Sequence, residues 1–190
     1  MNSKDMRIDR SWTLFLDRDG VINRRIPGDY VRNRDQFEFL PGVTEALASL
    51  SGYFGRIIVV SNQQGIGKGI MTASDLEEIH RLMRDEISRC GGRIDRVYYS
   101  PEVEKEDAVM RKPAPGMALA AKKDFPEIDF NRSVMVGDSL SDIKFGRELK
   151  MVTVLATDDP VKIREAEELA DQWYPDLRSF SASLNESLTR

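Results

Sequence analysis

Two aspartates one residue apart, Asp17 and Asp19, directly follow the short apolar run Trp12–Leu16. Carboxylates at the mouth of a buried strand are costly unless a cation or a proton answers their charge. Magnesium suits that need, because it takes oxygen ligands, commonly one or two carboxylates plus a phosphate. The i, i+2 spacing lets one carboxylate attack phosphorus while the other protonates the departing oxygen. Gly20 allows the backbone to turn sharply away from the strand. Taken alone, Asp-x-Asp is equally compatible with a solvated turn, so the weight rests on what else the chain supplies.

Three further segments supply it. The apolar run Ile57–Val60 delivers Ser61, Asn62, Gln63, Gln64 and Gly65, whose hydroxyl, amides and backbone N–H groups suit phosphate oxygens. Arg111-Lys112-Pro113 brings a lysine able to neutralise a phosphoryl group together with an attacking carboxylate. Its neighbour Arg111 offers a planar fork for a second anionic or hydroxyl group. The run Val134–Val136 ends in Gly137-Asp138, and Asp138 completes a candidate magnesium site. Asp142, one helical turn further, reads as a partner behind the metal, as an outer ligand, or as an acid stabilising a helix N-terminus. Gly65-Ile66-Gly67-Lys68-Gly69 superficially suggests a nucleotide-binding loop. It fails that pattern, with Asn62 where the first Gly belongs and Gly69 where Ser or Thr belongs. These glycines read instead as a flexible connection.

Apolar runs and amphipathic stretches alternate along the whole chain. The runs Trp12–Leu16, Ile57–Val60, Val97–Tyr99, Val134–Val136 and Val152–Leu155 have the composition of buried strands. Helical patterns lie between and after them. Thr72 or Ser74 caps the segment Asp75–Arg89, with Leu76, Ile79, Met83 and Ile87 on one face and Gly91–Gly92 at its end. The alternation implies an α/β, Rossmann-like parallel sheet with helices on both faces, in a single domain over 1–190. Residues 1–10 are expected to be loose. Two polar stretches break the alternation, a flap at 23–39 and a loop over Pro101–Ala114, and both fall beyond carboxyl ends of strands, where such sheets bind ligands.

The four motifs in this order resemble those of the haloacid dehalogenase superfamily of phosphohydrolases, over about Trp12 to Phe180. The resemblance implies a HAD-type fold with a short flap and no large cap domain. It implies Asp17 as nucleophile, Asp19 as general acid and base, and Ser61 and Lys112 as phosphoryl-stabilising groups. Magnesium would be held by Asp17, the Asp19 carbonyl and Asp138. Phe15–Gly20, Ser61–Ile66, Arg111–Met117 and Phe37–Val43 are further similar to the histidinol-phosphate and heptose-bisphosphate phosphatase branch. The heptose 1,7-bisphosphate enzymes are the nearer likeness. That implies removal of a C7 phosphate from D-glycero-D-manno-heptose 1,7-bisphosphate, with Arg111, Asn62, Gln63, Gln64, Asp29 and Tyr30 near the substrate. Histidinol phosphate or another small phosphorylated metabolite is the alternative within this chemistry, and a non-catalytic binding module the alternative outside it. The branch usually carries a zinc loop of three Cys and a His before Arg-Lys-Pro. Residues 99–110 contain neither, so the expectation is a zinc-free loop held by side-chain packing. Asp19 is expected to have a raised pKa, since it must begin protonated.

The bulk composition excludes other classes. A 41% hydrophobic and 32% charged chain of 190 residues can bury a core. Its net charge of −4 speaks against a broad nucleic-acid surface. No apolar stretch approaches the roughly 20 residues that span a bilayer, and the N-terminus lacks a secretory core. A cytoplasmic monomer acting on a small metabolite is the expectation. The lone Cys90 reads as a small apolar residue near a helix end, and the lone His80, beside Glu77, Glu78 and Arg81, as a solvated surface residue.

Overall fold

The computed structural model describes residues 7–105 and 107–188. In chain order the elements are β1 (Thr13–Leu16), α1 (Val43–Tyr53), β2 (Arg56–Asn62), α2 (Gln64–Gly67), α3 (Ala73–Arg89) and β3 (Arg96–Ser100). There follow α4 (Gly116–Asp124), β4 (Ser133–Gly137), α5 (Leu140–Glu148), β5 (Val152–Ala156), α6 (Pro160–Ala166), β6 (Gln172–Tyr174) and α7 (Leu177–Leu188). The strands form one parallel sheet in the order β3-β2-β1-β4-β5-β6. Every residue of β1 is buried, as its unbroken apolar sequence requires at the centre of a sheet covered on both faces.

Alternation along the strands divides the core in two. Leu14, Leu16, Ile57, Val59, Val134 and Val136 pack with Leu47 and Leu50 of α1, Leu76, Ile79 and Met83 of α3, and Phe180 of α7. Phe15, Ile58, Val60 and Met135 turn the other way, onto Met117 and Ala121 of α4 and Phe145 of α5. The α3 start is closed by a reciprocal pair: Asp75 N–H donates to the Thr72 hydroxyl while the Asp75 carboxylate accepts from the Thr72 N–H.

Register does the positioning. Leu16 lies opposite Val59 and Val136 on its two neighbours, so the residues just beyond these positions emerge together at one end of the sheet. Those residues include Asp17, Ser61 and Asp138. Two glycines make the crowding there feasible. Gly20 has φ +97°, and a Cβ on it would meet Asp138 Oδ2 at 2.3 Å; a Cβ on Gly137 would meet the Asp142 Cβ at 2.1 Å.

Several local expectations change. Gly65, Ile66 and Gly67, expected as part of a flexible connection, fall in the short helix α2, because Lys68 N–H closes onto the Gln64 carbonyl. The strand β6 is additional to the five apolar runs. Of the stretch 1–10, residues 1–6 lie outside the described residues. Asp9 and Arg10 are tied down: Trp12 N–H donates to the Asp9 carbonyl, and Arg10 lies so close to Gly55 that a Cβ there would meet its carbonyl oxygen at 2.0 Å. Cys90 is exposed rather than packed. Among the described residues no helix is long and apolar enough to cross a membrane.

Candidate active site

The carboxyl ends of β1, β2 and β4 open into a pocket of about 440 Å³. Asp17, Asp19, Ser61, Lys112 and Asp142 line it. So do Asp29, Tyr30, Asn62, Gln63, Gln64 and Arg111, the residues the resemblance placed near substrate.

Lys112 is the hub. Its side chain is 2% exposed, with Nζ 2.8 Å from Asp17 Oδ1 and 2.6 Å from Asp142 Oδ1. It also donates to the Val60 carbonyl at 2.7 Å. Asn62 fixes the lysine backbone from both sides, accepting from Lys112 N–H at 2.9 Å and donating to its carbonyl at 3.1 Å. Burial alone would lower the Lys112 pKa, but the Asp142 and Asp17 carboxylates outweigh it and raise it. Asp142 takes the helix N-terminal role that the sequence offered, capping α5 by accepting from the Ser139 N–H at 3.1 Å, and adds one that the sequence did not, the pairing with Lys112.

The two aspartates of the β1 motif have opposite surroundings. Burial pushes the Asp17 carboxyl up to about 7, against the pull of Lys112 and with the help of Asp142 and Asp138. Asp19 was expected to be raised, and the structure reverses this. Burial does push it up, but the Arg18 charge and hydrogen bonds from Arg18, Asn23 and Gln63 outweigh burial and hold it below the ordinary value. Arg18 Nη2 lies 2.9 Å from Asp19 Oδ1, Asn23 Nδ2 3.0 Å from the same oxygen, and Gln63 Nε2 2.8 Å from Oδ2. The same Gln63 amide donates to the Ser61 hydroxyl at 2.7 Å.

His80 corrects a second expectation. It is 8% exposed, and its Nε2 lies 3.3 Å from Arg18 Nη1. Burial, with the Arg18 charge, takes its pKa down to about 3, so the ring is neutral and accepts from the arginine. The loop over 101–111 corrects a third. A carboxylate, rather than packing, organises it: Glu102 accepts from the N–H groups of Met110 and Arg111, each at 2.8 Å, and from the Ser100 hydroxyl at 3.2 Å. Arg111 is thereby presented to the pocket, with its buried Nη1 lacking a partner among the described residues.

Oxygens of Asp17, Asp138 and Asp142 lie within 4.8 Å of one another. An all-oxygen set of carboxylates suits a hard divalent cation such as magnesium. Burial raises the Asp138 pKa against the opposing charges of Arg25 and Lys162, neither of which the motifs had singled out.

Known proteins resemble this chain in sequence and in fold. The HAD-hydrolase-like family model matches residues 109–179. A D-glycero-alpha-D-manno-heptose-1,7-bisphosphate 7-phosphatase of Mycobacterium bovis is 43% identical over 143 residues, 75% of either chain. A D-glycero-beta-D-manno-heptose-1,7-bisphosphate 7-phosphatase of Rhodopseudomonas palustris is 37% identical over 139 residues, 68% of this chain and 74% of that one. Among solved structures, the D,D-heptose 1,7-bisphosphate phosphatase of B. bronchiseptica, complexed with magnesium and phosphate, superposes with a TM-score of 0.83. It is 25% identical and covers 92% of this chain and 98% of its own.

Proposed function

The chain belongs to the haloacid dehalogenase-like phosphatases, in their heptose-bisphosphate branch, and from that premise we propose that it removes the C7 phosphate of D-glycero-D-manno-heptose 1,7-bisphosphate through an aspartyl-phosphate. The observation that carries the assignment of roles is the buried Lys112 ammonium, seated between Asp17 and Asp142 at the pocket floor. An ammonium there holds the attacking carboxylate and faces the phosphoryl oxygens at once, which is the positioning and charge compensation that phosphoryl transfer requires.

Asp17 attacks phosphorus, and the bond to the sugar oxygen breaks as that oxygen takes a proton from Asp19. Asp19, left ionised, then removes a proton from water, which attacks the aspartyl-phosphate and frees inorganic phosphate. Arg18, Asn23 and Gln63 hold the Asp19 pKa below its ordinary value in the free protein, so Asp19 must take a proton from solvent as the negatively charged phosphate arrives beside it and favours the protonated form. Ser61, and backbone N–H groups beyond β2, receive the equatorial oxygens. Asp17, Asp138 and the Asp19 carbonyl would hold magnesium, which supplies further neutralisation of the phosphoryl charge. Arg111, Asn62, Gln64, Asp29 and Tyr30 orient the rest of the sugar. The loop over 101–111 works without zinc, the Glu102 carboxylate gathering the backbone N–H groups instead.

Phosphate release should be measured with magnesium on both anomers of the heptose bisphosphate, on histidinol phosphate and on other sugar phosphates. The heptose bisphosphates should be preferred, and Asp17→Asn should lower kcat by about 10⁴-fold or more while the fold is kept. Preference for another ester would replace the substrate. Undiminished turnover by Asp17→Asn would remove the nucleophile. No turnover of any ester, with tight binding to a protein, would favour a non-catalytic role.

A further inference from the structure

The oxygens assigned above to the metal already face a positive group of the chain itself. Arg25 projects from the flap, and its Nη2 lies 2.9 Å from Asp138 Oδ1, 3.1 Å from the Asp19 carbonyl oxygen and 4.0 Å from Asp17 Oδ2. These are the three groups that would hold magnesium. The second Asp138 oxygen pairs with Lys162 of α6. Three cations thus face the acids Asp17, Asp138 and Asp142, namely Lys112, Lys162 and Arg25.

Of these three cations Arg25 is the one built to leave. Its side chain is 45% exposed, against 2% for Lys112 and 26% for Lys162. It sits on irregular chain, so turning the side chain outward unpacks no helix or strand. A divalent ion binding at about 2.0–2.1 Å from the same oxygens cannot share them with a guanidinium. Arg25 also lines the pocket that would receive the phosphate, and a planar fork is well suited to that dianion.

We propose that Arg25 is the residue that sets metal affinity and couples it to phosphate binding: it competes for the magnesium oxygens and, once displaced, turns to the phosphate. The inference rests on the metal site proposed above. Because the displaced guanidinium gains a partner only when phosphate is present, each ligand strengthens the other, and the coupling is reciprocal.

The test is calorimetric titration of magnesium into chelator-treated protein, with and without saturating inorganic phosphate, for the wild type and Arg25→Met. Without phosphate, Arg25→Met should bind magnesium about tenfold more tightly, the equivalent of one charge-assisted hydrogen bond no longer broken. Phosphate should tighten magnesium binding to the wild type and have a much smaller effect in the variant. In a thermal melt, magnesium should also raise the midpoint of the variant more than that of the wild type. Equal or weaker magnesium affinity in Arg25→Met overturns the competition while leaving the metal site standing. Undiminished coupling in the variant overturns the hand-over to phosphate. No magnesium binding by either protein overturns the metal site and the inference with it.

Discussion

Two arginines answer neighbouring acids of one pocket, Arg18 the Asp19 carboxylate and Arg25 those of Asp138 and Asp17, and their surroundings could hardly differ more. Arg18, at the inner side, is 1% exposed, clamped between Asp19 and the neutral ring of His80. Arg25, at the outer side, is nearly half exposed and reaches in from the flap. The inner cation is a permanent part of the fold, whose loss strands a carboxylate. The outer one is exchangeable, and its loss changes what binds. Charge compensation in one cluster is therefore divided between a fixed component and a removable one.

The largest expected effect probes the fixed side. Arg18→Met should cost about 3 kcal/mol in chemical denaturation, because Asp19 keeps its charge and loses its cationic partner, with the neutral donors Asn23 and Gln63 left to hold it. An unchanged denaturation midpoint would erase the distinction between the two arginines. Next in size is the loop that presents Arg111. Glu102→Gln should raise KM about tenfold with a smaller change in kcat, since Arg111 positions substrate while Asp17 and Lys112 are held by other contacts. A fall in kcat alone would show that the loop serves the chemistry directly, and stoichiometric zinc in that protein would displace Glu102 as the organiser.

The smallest effect is a pH dependence of stability from His80. Its folded pKa, about 3, lies below the ordinary 6.5, so the folded state binds fewer protons than the unfolded state in that window. The stability it secures is complete above about 6.5 and is lost as pH falls toward 3. His80→Gln keeps an acceptor for Arg18 and does not titrate, so thermal midpoints measured across this range should fall less steeply in the variant than in the wild type. Identical slopes would mean that the ring does not sense Arg18.

The gathering of the motif residues at one end of the sheet was legible because each ends an apolar run or stands in a short ordered motif. Asp17, Ser61 and Asp138 are announced by the strands before them, and a parallel sheet has only one end at which such residues gather. His80 was missed although a signal existed. It lies four residues after Leu76 and three before Met83, on the apolar face that the charged neighbours Glu77, Glu78 and Arg81 conceal in a linear reading. Arg25 and Glu102 gave no such signal. Both sit in irregular chain, where no period of 2 or 3.6 residues says which way a side chain faces. The strand β6 is three residues long with Trp173 half exposed, too short and too mixed to stand out. The Asp19 pKa was misjudged for a different reason. Its value depends on Arg18, Asn23 and Gln63 converging on one carboxylate, and only the folded chain brings Gln63 there.

The parallel register of β1 with β2 and β4 has a consequence for how competence arises. Sliding one strand by a single residue would carry its reactive group about 3.3 Å along the sheet and turn it to the opposite face. No half-gathered version of the pocket exists along such a slide, since Asp17, Ser61 and Asp138 lie at the ends of three separate strands. In the proposed phosphatase, turnover is then an all-or-nothing witness to the completed central sheet.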